Sequence, residues 1–152
     1  NELPRIFERK DPGDLTVLYI DLNGLKRVND ISHDMGDKYL ATTAESIETG
    51  LRPTDLVYRI GGDEIVALLD GKIDEESLKV IIERLKVRQA DALTPIDGFP
   101  HDAHVGLAIG GVTKQDSDTV ETLVHRADMA TAADKERFYA DLQEKTGINF
   151  RR

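Results

Sequence analysis

The sequence predicts an α+β domain, with helices packed on a sheet that is antiparallel or mixed. Two observations carry that expectation. Read along the chain, the candidate elements fall in the order β-α-α-β-β-α-β-α, which is neither all-α nor the strict βαβα alternation of a parallel sheet. Between two helical stretches, a pair of short strands flanks Gly61-Gly62-Asp63-Glu64 and reads as a β-hairpin, which brings antiparallel pairing.

The first strand is Leu15-Thr-Val-Leu-Tyr-Ile-Asp21, a near-continuous apolar run closing on a carboxylate. Apolarity without alternation marks a central strand covered on both faces. Asn23-Gly24 punctuates it before a short helical stretch, Leu25 to Ile31. A second helix is predicted from Gly36 to Ile47, with Tyr39, Leu40, Ala44 and Ile47 at helical spacing, and Gly50, Arg52 and Pro53 ending it. The hairpin strands are Leu56–Ile60 and Ile65–Leu69. Glu75 to Ala90 is the clearest amphipathic helix, with Leu78, Ile81, Ile82 and Leu85 on one stripe. Residues 91–100 read as a loop, His104 to Gly111 as another core strand, and Thr119 to about Leu142 as the last helix.

With 152 residues and 39% hydrophobic content, the chain is expected to be one globular domain over residues 1–152. Its 29 acidic against 20 basic side chains give a net charge of −9, which argues against binding a nucleic-acid polymer through phosphate neutralisation and against a polybasic membrane anchor. Cysteine is absent, which removes disulfide scaffolds, thiolate zinc sites and cysteine nucleophiles. No apolar run is long enough to span a membrane and no signal peptide opens the chain, so a cytoplasmic domain is expected. An anionic partner would need a metal or a few well-placed cations.

Chemistry concentrates at two places. Asp21 lies at the carboxyl end of a buried strand, where open sheets commonly bind ligands. Asp63 and Glu64 lie in the hairpin turn. If the hairpin sits beside the first strand, three carboxylates converge at one sheet edge. Carboxylates with no Cys and no nearby His select hard cations, Mg²⁺ or Mn²⁺ rather than zinc. Gly61 and Gly62 lack a Cβ and would let a ligand approach the backbone. The plainer reading is a hairpin turn whose acids are merely solvated. His33, His101, His104 and His125 share no metal-ligand spacing.

Taken together, these segments resemble the GGDEF family of diguanylate cyclases. The matching pieces are Asp21-Leu-Asn-Gly-Leu-Lys-Arg-Val-Asn29-Asp30, His33-Asp34-Met35-Gly36-Asp37, Arg52-Pro-Thr-Asp55 and Arg59-Ile-Gly-Gly-Asp-Glu-Ile65, with Arg126-Ala127-Asp128 and Lys135 resembling the closing helix. Asn1 is similar to the Asn that ends the family's linker, which implies a fragment of a longer regulated protein. The resemblance implies a mixed, largely antiparallel central sheet flanked by helices, the palm-like (ferredoxin-like) arrangement of nucleotide cyclases and polymerases.

The activity it implies is condensation of two GTP into cyclic di-GMP with release of two pyrophosphates. Two domains meet face to face as a homodimer, without nucleic-acid polymer or direct membrane contact. By that resemblance Asp21, Asp63 and the carbonyl of Leu22 hold Mg²⁺ or Mn²⁺. Glu64 is a further ligand or the base for the attacking hydroxyl. The N–H groups of Gly24 and Leu25 cradle the β- and γ-phosphates, and Lys26 and Lys135 add positive charge. Asn29 and Asp37 read guanine: a carboxylate can accept from both N1–H and the exocyclic amine, a donor pair that adenine lacks on that edge. Arg52 and Asp55 form a product-inhibition site, with Arg84 as a further contact.

The resemblance is incomplete. Ile65 stands where the family has Phe, Asn23 where Asp is frequent, His104 where Ser is usual, and Ala132 in place of an aromatic. After Lys135 the family often has Gly-Arg, whose Arg reaches a phosphate; here the pair is Phe138-Tyr139, with Arg137 the nearest substitute. Two alternatives to the enzyme follow: an inactive GGDEF domain acting as a receptor for GTP or cyclic di-GMP, and a purely structural dimerisation module, which leaves Asp21, Asp63 and Glu64 unexplained.

Overall fold

β1 (Leu15–Asn23) is the axis of the molecule, hydrogen-bonded on both edges within a sheet of order β2-β3-β1-β4. The computed structural model describes residues 3–151, so Asn1 lies outside the described residues. The partners of β1 are β3 (Glu64–Asp70) and β4 (Gly106–Thr113), while β2 (Leu56–Arg59) forms one edge. All three pairings are antiparallel. The apolar run of β1 is continuous because both faces are covered. Leu18, Ile20 and Leu22 point into one core with Val28, Tyr39, Ile47, Leu85 and Leu93. Leu15 and Val17 point into another with Leu3, Ile6, Leu123 and Ala127.

The first core lies under α2 (Leu25–Ile31), α3 (His33–Gly50) and α4 (Glu75–Leu93). Ile65 is fully buried there, so the exchange of an aromatic for Ile is absorbed in packing. The second core lies under α1 (Leu3–Arg9) and α5 (Val120–Thr146). Helix α5 sits on the sheet at Gly110: a Cβ there would fall 2.2 Å from the backbone nitrogen of Thr131. Only glycine permits that approach.

Several boundaries differ from the sequence reading, each for a local reason. Helix α3 begins at His33 rather than Gly36, because the Ser32 side chain accepts the N–H of Met35 and caps it. Helix α4 continues to Leu93, burying that residue. β4 starts at Gly106, since His104 closes a 3₁₀ turn (His101–Ala103) in the left-handed conformation, φ 55°. Helix α5 starts behind a capping box built from Thr119 and Thr122 and runs to Thr146, where left-handed Gly147 ends it. Helix α1 is additional.

Candidate active site

The register of the sheet assembles the acids. Asp21 on β1 pairs directly with Glu64 on β3, and the N–H of Leu22 donates to the Asp63 carbonyl at 3.2 Å. The hairpin therefore does lie beside the first strand, and Asp21, Asp63 and Glu64 meet at one end of the two central strands rather than at an outer edge of the sheet. The loop closes through the N–H of Ile60 on the Glu64 carbonyl, 3.1 Å. Gly61 and Gly62 do not use left-handed backbone. What they contribute is space: a Cβ at Gly61 would lie 3.4 Å from Glu64 Oε2, and Gly62 faces open volume.

Each carboxylate has a distinct environment. Tyr19 donates its hydroxyl to Glu64 Oε2 at 2.9 Å. Burial, reinforced by that bond and by the charges of Glu64, Asp128 and Asp21, pushes the phenol well above its ordinary range, so it remains a donor. Lys135 Nζ lies 3.0 Å from Asp21 Oδ2, while Asp21 Oδ1 is buried without a hydrogen-bond partner among the described residues. Burial pushes the Asp21 carboxyl up, and Asp63 and Glu64 add to it against the opposing pull of Lys135. Burial pulls the Lys135 ammonium down, but its bond to Asp21 and the surrounding negative charge outweigh that and raise it.

Among the described residues, no group of three or more His, Cys, Asp or Glu side chains is arranged to hold a metal ion. The donor chemistry nevertheless suits a hard cation: carboxylates, a neighbouring main-chain carbonyl, and one buried carboxylate oxygen left unsatisfied. The residues fit Mg²⁺ or Mn²⁺ in kind.

Beside the acids opens a cleft of ≈ 430 Å³ lined by Leu25, Lys26, Asn29, Gly36, Asp37, Leu40, Arg59, Gly62 and Asp63. It gathers residues from α2, α3 and the hairpin loop, including both expected guanine readers, and Asp63 joins it to the acid cluster. Asn29 lies directly on Gly36, where a Cβ would fall 1.6 Å from Asn29 Oδ1. Gly24 precedes α2 in the left-handed conformation, φ 79°, which seats it close to the His104 carbonyl. Arg59 lines the cleft although the sequence reading gave it no role.

The charged run on α5 separates into distinct contacts. Lys135 turns to Asp21, Glu136 to Arg151, and Arg137 to Asp134, which also pairs with Lys86. Arg137 thus faces away from the acid cluster. Tyr139 is buried, with the Arg27 guanidinium 5.8 Å over its ring. Arg27 in turn donates to the carbonyls of Ala103 (2.8 Å), His104 (3.0 Å) and Phe150 (3.2 Å). Tyr19 and Asn23 were also not singled out as site residues. Strand alternation puts both on the face of Asp21, a signal that was available. Asn23 is fully buried, and neither polar atom of its side chain has a partner among the described residues.

Arg52 and Asp55 form a separate constellation. Arg52 Nη2 and Nε donate to Asp55 Oδ1 and Oδ2 at 3.0 and 3.2 Å, and the Arg52 N–H adds a third bond at 2.9 Å. Asp55 also accepts the N–H of Asp70 (3.0 Å), and Asp70 is paired with Lys10, just after α1. The Asp55 side chain is 2% exposed and that of Arg52 55%, so the guanidinium alone presents a surface to a ligand. Arg84 reaches the Gly50 carbonyl at 3.2 Å, two residues before Arg52.

The chain is similar in sequence and fold to known proteins. The family model described as "Diguanylate cyclase, GGDEF domain" matches residues 2–138. Diguanylate cyclase DosC of Escherichia coli (strain K12) is 31% identical over 143 residues, covering 89% of this chain and 30% of DosC. The cyclic di-GMP phosphodiesterase NbdA of Pseudomonas aeruginosa is 33% identical over 119 residues, covering 76% of this chain and 15% of NbdA. The crystal structure of the GGDEF domain of PA1120 (YfiN or TpbB) from Pseudomonas aeruginosa superposes with a TM-score of 0.71 at 29% identity, covering 90% of this chain and 84% of that one. The chain belongs to the GGDEF domain family, with the fold of its cyclase domains. It spans less than a third of the length of these two curated relatives.

Proposed function

We propose that this domain is a metal-dependent diguanylate cyclase that joins two GTP molecules into cyclic di-GMP and releases two pyrophosphates. The observation that carries the reading is the junction at Asp63, where the acids of Asp21 and Glu64 meet a cleft containing Lys26, Asn29 and Asp37. In this reading Asn29 and Asp37 bind guanine, while Lys26 and the N–H groups of Gly24 and Leu25 orient the phosphates. Asp21, Asp63 and the Leu22 carbonyl hold Mg²⁺ or Mn²⁺. When bound, the metal would neutralise phosphate charge and polarise the α-phosphorus. Glu64, its rotation held by Tyr19, accepts the proton of the attacking 3′-hydroxyl or joins the metal ligands. Each domain holds one GTP, so catalysis requires a homodimer with the two clefts facing. Product feeds back through Arg52. Among the described residues no helix is long and apolar enough to cross a membrane, and we place the reaction in the cytoplasm.

A receptor reading competes on one observation. Arg137 is tied to Asp134 and Tyr139 is buried, so Lys135 is the cation that α5 offers to a triphosphate. A domain with that shortage would bind nucleotide and turn over slowly or not at all.

Chromatography of products separates the two readings. The domain, dimerised through an added coiled coil, is incubated with GTP and Mg²⁺. Cyclic di-GMP from this protein and none from Glu64→Gln supports the enzyme. GTP binding without product supports the receptor.

A further inference from the structure

We propose that Lys135 is a placeholder cation: it sits on Asp21 until a divalent cation displaces it, and its release couples metal binding to triphosphate binding. The inference rests on the reading of Asp21 as a metal ligand. The ammonium lies 3.0 Å from Asp21 Oδ2, and the two side chains are 33% and 17% exposed, so neither charge is hydrated as on an open surface. A single ammonium leaves the carboxylate half satisfied. Oδ1 is buried and has no hydrogen-bond partner among the described residues, whereas a divalent cation could engage both oxygens.

The helix that carries Lys135 is anchored one turn earlier. Thr131 Oγ1 donates to the Tyr19 carbonyl at 2.7 Å, and the backbone there rests on Gly110 with no room for a Cβ. Helix α5 is held in place, so the part that moves is the flexible four-carbon stem of the lysine. Displaced from Asp21, the ammonium remains within the field of Asp63, which lines the cleft, and has a new partner when a triphosphate is bound there. Without nucleotide, Lys135 opposes the metal. With nucleotide, it no longer does. By linkage, metal and triphosphate each strengthen the other's binding, and Lys135 carries that coupling.

The test is Mn²⁺ binding to the full 152-residue chain, followed by electron paramagnetic resonance with and without a non-hydrolysable GTP analogue. Lys135→Met keeps the methylene stem and removes the charge; Lys135→Gln repeats the measurement with a polar end. Without nucleotide, both variants should bind Mn²⁺ about fivefold more tightly than the parent, the scale of a partly exposed ion pair. The analogue should tighten Mn²⁺ binding by a larger factor in the parent than in either variant. If Asp21→Asn abolishes Mn²⁺ binding but the Lys135 variants bind no tighter, the placeholder role is overturned and the metal site stands. If Asp21→Asn binds Mn²⁺ as the parent does, the metal site and the placeholder role fall together.

Discussion

Tyr19 donates its hydroxyl to Glu64 Oε2 across 2.9 Å, from the centre of β1 to the first residue of β3. The bond fixes the rotation of the acid nearest the proposed chemistry while leaving Asp21 and Asp63 untouched. Tyr19→Phe removes it and retains the ring. Single-turnover measurements should show the rate of product formation reduced about tenfold, since hydrogen bonds to charged groups are worth about 1.5–3 kcal/mol and only part is felt in the transition state. GTP affinity should change less than twofold. An equal fall in affinity and rate would instead make Tyr19 a binding residue.

Gly36 separates base recognition from stability. A Cβ at this buried helical position would fall 1.6 Å from Asn29 Oδ1, so the amide must leave the cleft. The backbone itself gains from Gly→Ala, by roughly 0.5–1 kcal/mol in a helix interior. Gly36→Ala should therefore melt no lower than the parent and bind GTP at least tenfold more weakly by calorimetry. Unchanged affinity in a folded variant would remove Asn29 from guanine recognition.

Asp118 supplies a pH dependence distant from the chemistry. The hydrogen bond from Arg126 holds its carboxyl below the usual value of 3.8, helped by the N–H of Gln115 and the hydroxyl of Thr122. A carboxyl depressed in the folded state contributes stability above its unfolded value, and that contribution is lost as pH falls through the folded one. Arg126 also donates to the Thr113 carbonyl, joining β4 to the start of α5. Asp118→Asn should cost about 2 kcal/mol in urea denaturation at neutral pH. The gap from the parent should narrow as pH drops below 3.8. A gap independent of pH would assign the loss to packing.

These elements were not equally legible in the sequence. The apolar run of β1, the stripe on α4 and the spacing of Asp21, Asp63 and Glu64 each follow from local patterns, and the hairpin beside β1 has its predicted place. Helix α1 escaped because its seven residues, with only Leu3 and Ile6 buried, are too short for a periodicity. The pairing of Lys135 with Asp21 joins residues 114 positions apart, and a charged run on a helix looks alike whether one of its members turns inward or all face water. Arg27 contacts Phe150 across a separation of 123 for the same reason. Such pairings depend on how α5 lies against β1, which the small residue at Gly110 sets and no local pattern reports.

Arg52 and Asp55 should separate regulation from stability, because they are unequally buried. Arg52 is 55% exposed, but its guanidinium bonds the buried Asp55 carboxylate and the Asp70 carbonyl, so Arg52→Ala should cost about 1 kcal/mol. Asp55 is 2% exposed and accepts from the main-chain N–H groups of both Arg52 and Asp70. Asp55→Ala leaves those donors unpaired where the loop before β2 meets the end of β3, and should cost about 2 kcal/mol. If the exposed guanidinium is the product contact, Arg52→Ala abolishes inhibition by added cyclic di-GMP in a domain that melts only slightly below the parent. Asp55→Ala loses inhibition and stability together. Unchanged inhibition in Arg52→Ala would reject this pair as the feedback site, and equal destabilisation by both variants would mean the guanidinium is structural.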